Sequence, residues 1–383
     1  MRHLYLAATG QNRGKTTAAL GLFDGFVRLG LHAGFMKPVG QRTVIDDGQP
    51  ADEDAVLMKA VFGLRDVYPV MSPVHIPRGF TKAYIGGEVV EDLGARIRAA
   101  HATFADHEIL LIEGTGHAGV GAVIGLSNAV VAAMLGTPAV IISEGGVGRP
   151  IDEIVLNASL FGRHGVTVAG AIVNKVDVKA QPGIRGVLER GLAPYDIPLL
   201  GILPVQPILS NPTLEMIVEG VRGETLHPGP DLERVIDGVA IGAMEPGHML
   251  ERVGPGTLVI VPGDREDVIL TLTTAHLMGV PRSATTEELT TPTLDLEDGH
   301  AGAAIGLVLT GGYRPRDAVL AAIRQADLFA TIVPEDTYSV ASEVHDLLVK
   351  THAGDREKVE LIKALVAEHL DVDRILAVAR EAA

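Results

Sequence analysis

The chain contains no cysteine. That excludes disulfides, thiolate-held metals and a cysteine nucleophile, and it suits a cytoplasmic location. Tryptophan is absent as well, and aromatic residues make up only 4%. The cores must then be built from Ala, Val, Ile and Leu, as where helices pack on a buried parallel sheet. Basic residues are in deficit, with 32 Lys and Arg against 48 Asp and Glu and a formal net charge of -16. Such a field repels polyanions, and no local basic patch offsets it, so no nucleic-acid partner is expected. A small phosphorylated ligand is still admitted, because a loop of backbone N–H groups acts locally. The 14 histidines show no HExxH-like spacing, which argues against a zinc site. No signal-peptide anatomy opens the sequence. One uncharged stretch, Gly119 to Ser143, is long enough to span a bilayer. It is broken by Ser127-Asn128, Gly136 and Pro138. It reads as a loop, a short helix capped by Ser127 and ended by Gly136, and a buried strand "PAVIIS". No membrane partner is expected.

What is present describes a folded protein: 47% hydrophobic and 21% charged residues over 383 positions, enough for two domains. Apolar runs such as "HLYLAAT", "HEILLIEG", "PAVIISEG" and "VTVAGAIVNKV" alternate with amphipathic stretches such as "KTTAALGLFDGFVRLG" and "PIDEIVLNASLFGRHG". That alternation predicts a parallel sheet covered on both faces, with ligands at the carboxyl ends of its strands. The first domain is expected over residues 1–222. A Gly- and Pro-rich break, "RGETLHPGPDL" at 222–232, reads as a linker. A smaller α/β domain over 234–350 follows, built from three strand–turn–helix units. Residues 351–383 read as a helical segment packed on that second domain or on a partner.

The stretch "LYLAATGQNRGKTTAALGLF" places Gly-Lys-Thr-Thr directly between a strand and a helix. In a strict phosphate loop, G-x-x-x-x-G-K-[ST], the first glycine would stand at Thr9, with Gly10 one residue later. The other end is intact. Gly14 lets the backbone wrap a phosphate, Lys15 carries charge to the β/γ-phosphates and Thr16 offers a hydroxyl to Mg²⁺, at the positive end of a helix dipole. The expected nucleotide contacts are Gly10, Gln11, Asn12, Arg13, Gly14, Lys15, Thr16 and Thr17.

The ordered set "ATGQNRGKTT", "GFMKPVG", "DEDAVLMK" and "ILLIEGTGHAGVG" resembles the dethiobiotin synthetase-like P-loop family, which includes the ATP-dependent amidoligases of cobyrinate synthesis. The resemblance covers roughly residues 1–220. It implies a three-layer α/β/α fold and use of a nucleotide γ-phosphate to activate a carboxylate or carbamate oxygen. It also implies that Lys37 is a second phosphoryl-stabilising lysine beside the catalytic Lys15. Asp54 and Glu113 would join Thr16 around Mg²⁺, although Asp54 could instead cap a helix with its neighbours Asp52 and Glu53. Asn174, in "VNKVD", would contact the base. That base is usually adenine in this family, and Asp177 leaves GTP open beside ATP. Two departures stand out: Ala8 at the head of the loop and Arg13 before Gly14.

Beyond the linker, "VPGDREDVIL", "LVLTGGYRP" and "ATIVPEDTYSVASEVHDLLVK" resemble the DRTGG domain. A dethiobiotin synthetase-like domain followed by this one is the arrangement in the amino-terminal regulatory part of long phosphate acetyltransferases. The resemblance thus implies a regulatory half without acetyl transfer of its own, working with a phosphotransacetylase and as a homodimer. Asp264, Arg265, Thr310, Gly311, Gly312, Asp336 and Thr337, at strand ends, are expected to meet a small effector or an interface. The competing reading is a ligase that phosphorylates a carboxylate or carbamate. It keeps the same Lys15, Thr16, Lys37 and Glu113 and needs an unidentified small-molecule substrate.

Overall fold

Runs of Val, Ile, Leu and Ala become the central strands of the first sheet, because side chains on both faces must be apolar where helices cover both. The computed structural model describes residues 1–278, 304–346 and 351–381. Strands β1 (Arg2–Ala8), β2 (Ala33–Met36), β3 (Ile109–Glu113), β4 (Ala139–Glu144), β5 (Val168–Val176) and β6 (Leu199–Pro204) are all parallel, in the order β6-β5-β4-β1-β3-β2. Helices flank this sheet to make a three-layer α/β/α unit: α1 (Lys15–Arg28) lies against β1, β2 and β3, and α3 (Gly148–Arg163) against β4 and β5. Between β2 and helix α2 (Glu53–Phe62) runs an antiparallel hairpin, Thr43–Asp46 with Gln49–Asp52. Asp47 and Gly48 both have positive φ at its tip, the conformation an Asp-Gly two-residue turn supplies. The uncharged stretch folds as expected. Ser127 Oγ accepts from Val130 N at 3.2 Å to start helix Asn128–Met134, Gly136 follows it at φ 63°, and the strand is β4. Among the described residues no helix is long and apolar enough to cross a membrane.

The chain divides into two units, Met1–Gln206 with Thr351–Ala383, and Pro207–Lys350. The second holds a five-stranded sheet of β7 (Glu224–His227), β8 (Gly238–Ile241), β9 (Thr257–Pro262), β10 (Gly306–Thr310) and β11 (Phe329–Ile332). Its order is β7-β11-β10-β9-β8, parallel except for β7. Alternate residues feed two cores. Val259, Val261, Leu307 and Leu309 pack with α5 (Glu266–Met278) and α6 (Asp317–Gln325), while Leu258, Ile260 and Val308 pack with α4 (Leu214–Val221) and α7 (Thr337–Asp346). The stretch expected as a linker contains β7. Turn-rich composition hides a half-exposed edge strand, and the division falls earlier, after Gln206. Positions 279–303 and 347–350 of the expected second domain, including the end of "ASEVHDLLVK", lie outside the described residues.

The C-terminal segment packs on the first unit, not the second. Helix α8 (Arg356–His369) lies along α1, and a short strand, Arg380–Glu381, pairs antiparallel with Arg2 and His3 of β1. The reason is written on α1. A Cβ at Gly21 would stand 2.3 Å from Val366, and one at Gly25 would stand 2.9 Å from Val372. Two glycines four residues apart leave a groove that these valines fill.

Candidate functional site

Four strand ends converge on the start of α1. The loop after β1 turns into the helix at Gly14, whose φ of 88° and ψ of 30° lie in the left-handed region. A Cβ there would also fall 1.9 Å from the Asn174 amide nitrogen, so conformation and space both require glycine. Thr9 does not need to be glycine. Its Oγ1 donates to Glu153 Oε2 at 2.7 Å and its N–H to Ile142 O at 2.9 Å, which anchors the head of the loop to β4 and α3.

Lys15 is buried and, among the described residues, has no hydrogen-bond or ion-pair partner. Burial and the charge of Lys37 push its pKa down to about 8, against the pull of Glu113 and Asp54. A buried ammonium without a counter-ion is costly, and a phosphate over the helix N-terminus would supply one. Thr16 Oγ1 lies 3.1 Å from Asp54 Oδ1 and 3.2 Å from Glu113 Oε1. Lys37, directly after β2, places Nζ 2.5 Å from Asp54 Oδ2 and 3.0 Å from Glu113 Oε1. Burial opposes its charge, yet Asp54, Glu113 and Asp52 hold its pKa well above the usual lysine value. Burial raises Asp54, but the Lys37 ammonium and the hydrogen bonds from Lys37 and Thr16 bring it net below the usual range. Glu113, the last residue of β3, is fully buried. Burial and the neighbouring Asp54 push it up to about 7 against Lys37 and Lys15.

The structure separates the three acidic neighbours at the start of α2. Asp52 is the cap, with Oδ1 accepting from Asp54 N at 3.1 Å, which leaves Asp54 to face Thr16 and Lys37. Two carboxylates and a hydroxyl from the start of α2, the end of β3 and the start of α1, with water and phosphate completing the shell, make a donor set that fits Mg²⁺. Among the described residues Glu113 Oε2 is buried without a hydrogen-bond partner, an acceptor that a cation would satisfy.

Asn174 lies at the other edge of the loop. Its amide donates to Arg13 O at 3.1 Å, and Lys175 Nζ donates to Asn12 O at 3.1 Å. Arg13 turns away along β4, pairing with Glu144 at 2.6 Å and Glu153 at 3.7 Å. Gly10, Gln11 and Thr17 complete the loop and the first turn of α1; Gln11 and Asn12 are exposed and Thr17 half-buried. Sequence reasoning missed Asn128. It accepts from Tyr5 Oη at 2.8 Å and Thr115 N at 3.0 Å and donates to Thr115 O and His117 O, fixing the loop after Glu113. A polar residue at a helix start carries no signal for that task.

In the second unit the structure gathers part of the expected cluster. Thr310 and Thr337 hydroxyls meet at 2.7 Å, Gly311 N donates to Glu335 O and Gly312 N to Val333 O. Asp336 caps α7 through Tyr338 N and Ser339 N. Arg265 pairs with Asp267 at 2.9 Å and donates to Met244 O, and Asp264 is exposed.

Fold and loop together define a P-loop nucleotide-binding domain. The chain belongs to the AAA domain family, whose model matches residues 2–213, and residues 216–347 match the DRTGG domain. The phosphate acetyltransferase of Pseudomonas putida is 28% identical over 385 residues, covering 97% of this chain and 51% of that protein. The chain thus spans about half the length of the curated relatives it matches, and it is homologous to their N-terminal half. The ATP-dependent dethiobiotin synthetase BioD of Anaeromyxobacter dehalogenans is 28% identical over 214 residues, 55% of this chain and 93% of that enzyme. Among solved structures, the septum site-determining protein MinD of Pyrococcus horikoshii, complexed with Mg-ADP, covers 54% of this chain and 83% of its own at a TM-score of 0.35 and 14% identity. The CBS and DRTGG domains of a Clostridium perfringens pyrophosphatase cover 52% and 86% at a TM-score of 0.28 and 16% identity.

Proposed function

We propose that the chain is a magnesium–nucleotide-responsive regulatory module that acts with a phosphate acetyltransferase, with no acetyl transfer carried by these residues. The observation that carries the reading is the buried Lys15, unpartnered among the described residues, beside a Thr16 hydroxyl within 3.2 Å of both Asp54 and Glu113. Lys15 and the helix N-terminus hold the phosphates, Thr16, Asp54 and Glu113 hold Mg²⁺, and Lys37 faces the terminal phosphoryl group. The likeness to a synthetase described as ATP-dependent supports ATP. The pairing of the two matched domains, along the N-terminal half of phosphate acetyltransferases, supports the regulatory task. The second unit would take the effector through the Thr310–Gly312 and Asp336–Thr337 turns, in a homodimer or against a phosphotransacetylase. The reading places the module in the cytoplasm, where nucleoside triphosphates are supplied.

Titration calorimetry with Mg·ATP and Mg·GTP tests this: binding is expected in the wild type and its loss in Lys15→Ala. Absence of heat with every magnesium nucleotide overturns the reading. The complete Lys15, Lys37, Asp54 and Glu113 set also favours a second reading, a ligase that phosphorylates a carboxylate or carbamate. Phosphate release that rises only with an added carboxylic acid or diamine would select it.

A further inference from the structure

Two departures from the strict phosphate-loop motif, Thr9 in place of the first glycine and Arg13 before Gly14, meet on one side chain. Thr9 Oγ1 donates to Glu153 Oε2 at 2.7 Å, and Arg13 Nη2 lies 3.7 Å from Glu153 Oε1. Neighbours at the end of β4 reinforce both contacts. Ser143 Oγ lies 3.2 Å from the Thr9 hydroxyl, and Arg13 Nη1 pairs with Glu144 Oε2 at 2.6 Å. The arginine passes Gly10 on its way, since a Cβ at Gly10 would fall 3.2 Å from Arg13 Nε. The glycine at position 10 thus leaves the space that the Arg13 side chain crosses. Thr9 and Arg13, which bracket residues 10–12, are both fastened to α3.

Glu153 is itself held in place. Arg149 Nε, one turn earlier in α3, donates to Glu153 Oε1 at 2.7 Å. Asn157, one turn later, donates to Glu153 O at 2.8 Å and accepts from Ala118 N at 2.8 Å. The turn of α3 that carries Glu153 is therefore tied to the loop after Glu113 as well. Burial opposes the Glu153 charge, but hydrogen bonds from Arg149 and Thr9 and the Arg13 guanidinium hold its pKa net below the usual range.

We infer that Glu153 is a positioning residue for the nucleotide: acting through Thr9 and Arg13, it holds the phosphate loop in the shape that receives phosphate. A loop already held in its bound shape loses less freedom when the ligand arrives, and the difference appears as affinity. Glycine at position 9 would offer no hydroxyl to this brace, so the departure from the motif is part of the device. The inference rests on the phosphate-loop reading above and adds to it a residue outside the loop on which affinity depends.

Calorimetry of the full chain with Mg·ATP and Mg·GTP, beside melting curves without nucleotide, tests it. Glu153→Ala and Thr9→Val are each expected to weaken the bound nucleotide by about tenfold, the scale of a hydrogen bond to a charged group. Thr9→Ser and Glu153→Gln keep the hydroxyl and its acceptor and should stay within about threefold of the wild type. The double variant Thr9→Val with Glu153→Ala should bind no more weakly than Glu153→Ala, because both residues act through one contact. Losses that add overturn the inference. So do single variants that melt lower without nucleotide yet bind it as the wild type does, and a Thr9→Ser variant as weak as Thr9→Val. If Glu153→Ala does not fold, Thr9→Val against Thr9→Ser decides, since only the first removes the hydroxyl. A wild type that binds no magnesium nucleotide overturns the phosphate-loop reading itself and this inference with it.

Discussion

Lys37 holds two carboxylates together in a buried setting, with Asp54 at 2.5 Å and Glu113 at 3.0 Å. Removing one member of a buried ion network leaves uncompensated charge, at a cost of about 3 kcal/mol. Lys37→Met is therefore expected to melt well below the wild type in chelator. Added Mg²⁺ should recover more stability in the variant than in the wild type, because the freed carboxylates accept the cation in place of the ammonium. Equal Mg²⁺ effects in melting curves of the two proteins would contradict the assigned donor set. Lys37 and Glu113 were legible through the resemblance to the dethiobiotin synthetase-like family, and Glu113 also by its place at the end of an apolar run, where a lone carboxylate is costly. The division of labour between Asp52 and Asp54 was not, since adjacent carboxylates differ only in which way the first helical turn aims them.

A second residue-scale expectation concerns His3, buried in β1 with its Nδ1 3.2 Å from His101 Nε2. Burial, then the neighbouring His101, pushes its pKa from 6.5 down to about 4. Between those values the unfolded chain binds a proton that the folded chain refuses, so stability is lost as pH falls through this window. The loss from this group reaches about 2 kcal/mol by pH 5. Urea midpoints measured from pH 7 to 5 should fall more steeply for the wild type than for His3→Gln; parallel slopes would refute the assignment.

At the scale of elements, α1 carries two unlike surfaces. Its first turn is given over to the phosphate loop, and its middle is notched by Gly21 and Gly25 to admit α8 and the helix that follows it. Glycine inside a helix costs about 1 kcal/mol relative to alanine, so a glycine kept at the notch must repay it in packing. Gly21→Ala adds helix propensity but places a methyl group 2.3 Å from Val366, and overpacking costs about 1–3 kcal/mol; the melting temperature should fall. A Cβ at Gly162, in the last turn of α3, would meet nothing within 4 Å among the described residues. Gly162→Ala should therefore raise stability by up to about 1 kcal/mol. The opposite order in differential scanning calorimetry would mean that the notch is not the reason for the glycine. Helix α1 itself was plain from its apolar spacing and from the loop before it. Its partner was not, because a notch made of two glycines looks in sequence like ordinary small residues on an amphipathic helix.

At the scale of the whole molecule, the first unit is discontinuous in sequence, residues 1–206 being completed by 351–383. The parallel sheet was legible because alternating strands and helices leave few other arrangements. The return of the last segment was not, since its helical spacing shows an apolar face without naming the surface that it meets. That segment buries Val359, Ile362, Leu365, Val366, Leu370 and Ile375. At about 1.5–3 kcal/mol gross for each fully buried side chain, their loss is comparable to the 5–15 kcal/mol net stability of a typical domain. The same segment adds a strand beside Arg2 and His3 of β1, the strand that leads into the phosphate loop. Residues 1–206 expressed alone should therefore expose the notched face of α1, bind a hydrophobic dye and show little response to magnesium nucleotide. Supplying residues 351–383 as a separate polypeptide should suppress the dye signal and restore the nucleotide response together, because both depend on α1 and β1. If residues 1–206 alone melt cooperatively at the temperature of the full chain's nucleotide-responsive transition, the C-terminal segment is an accessory and not a structural part of that unit.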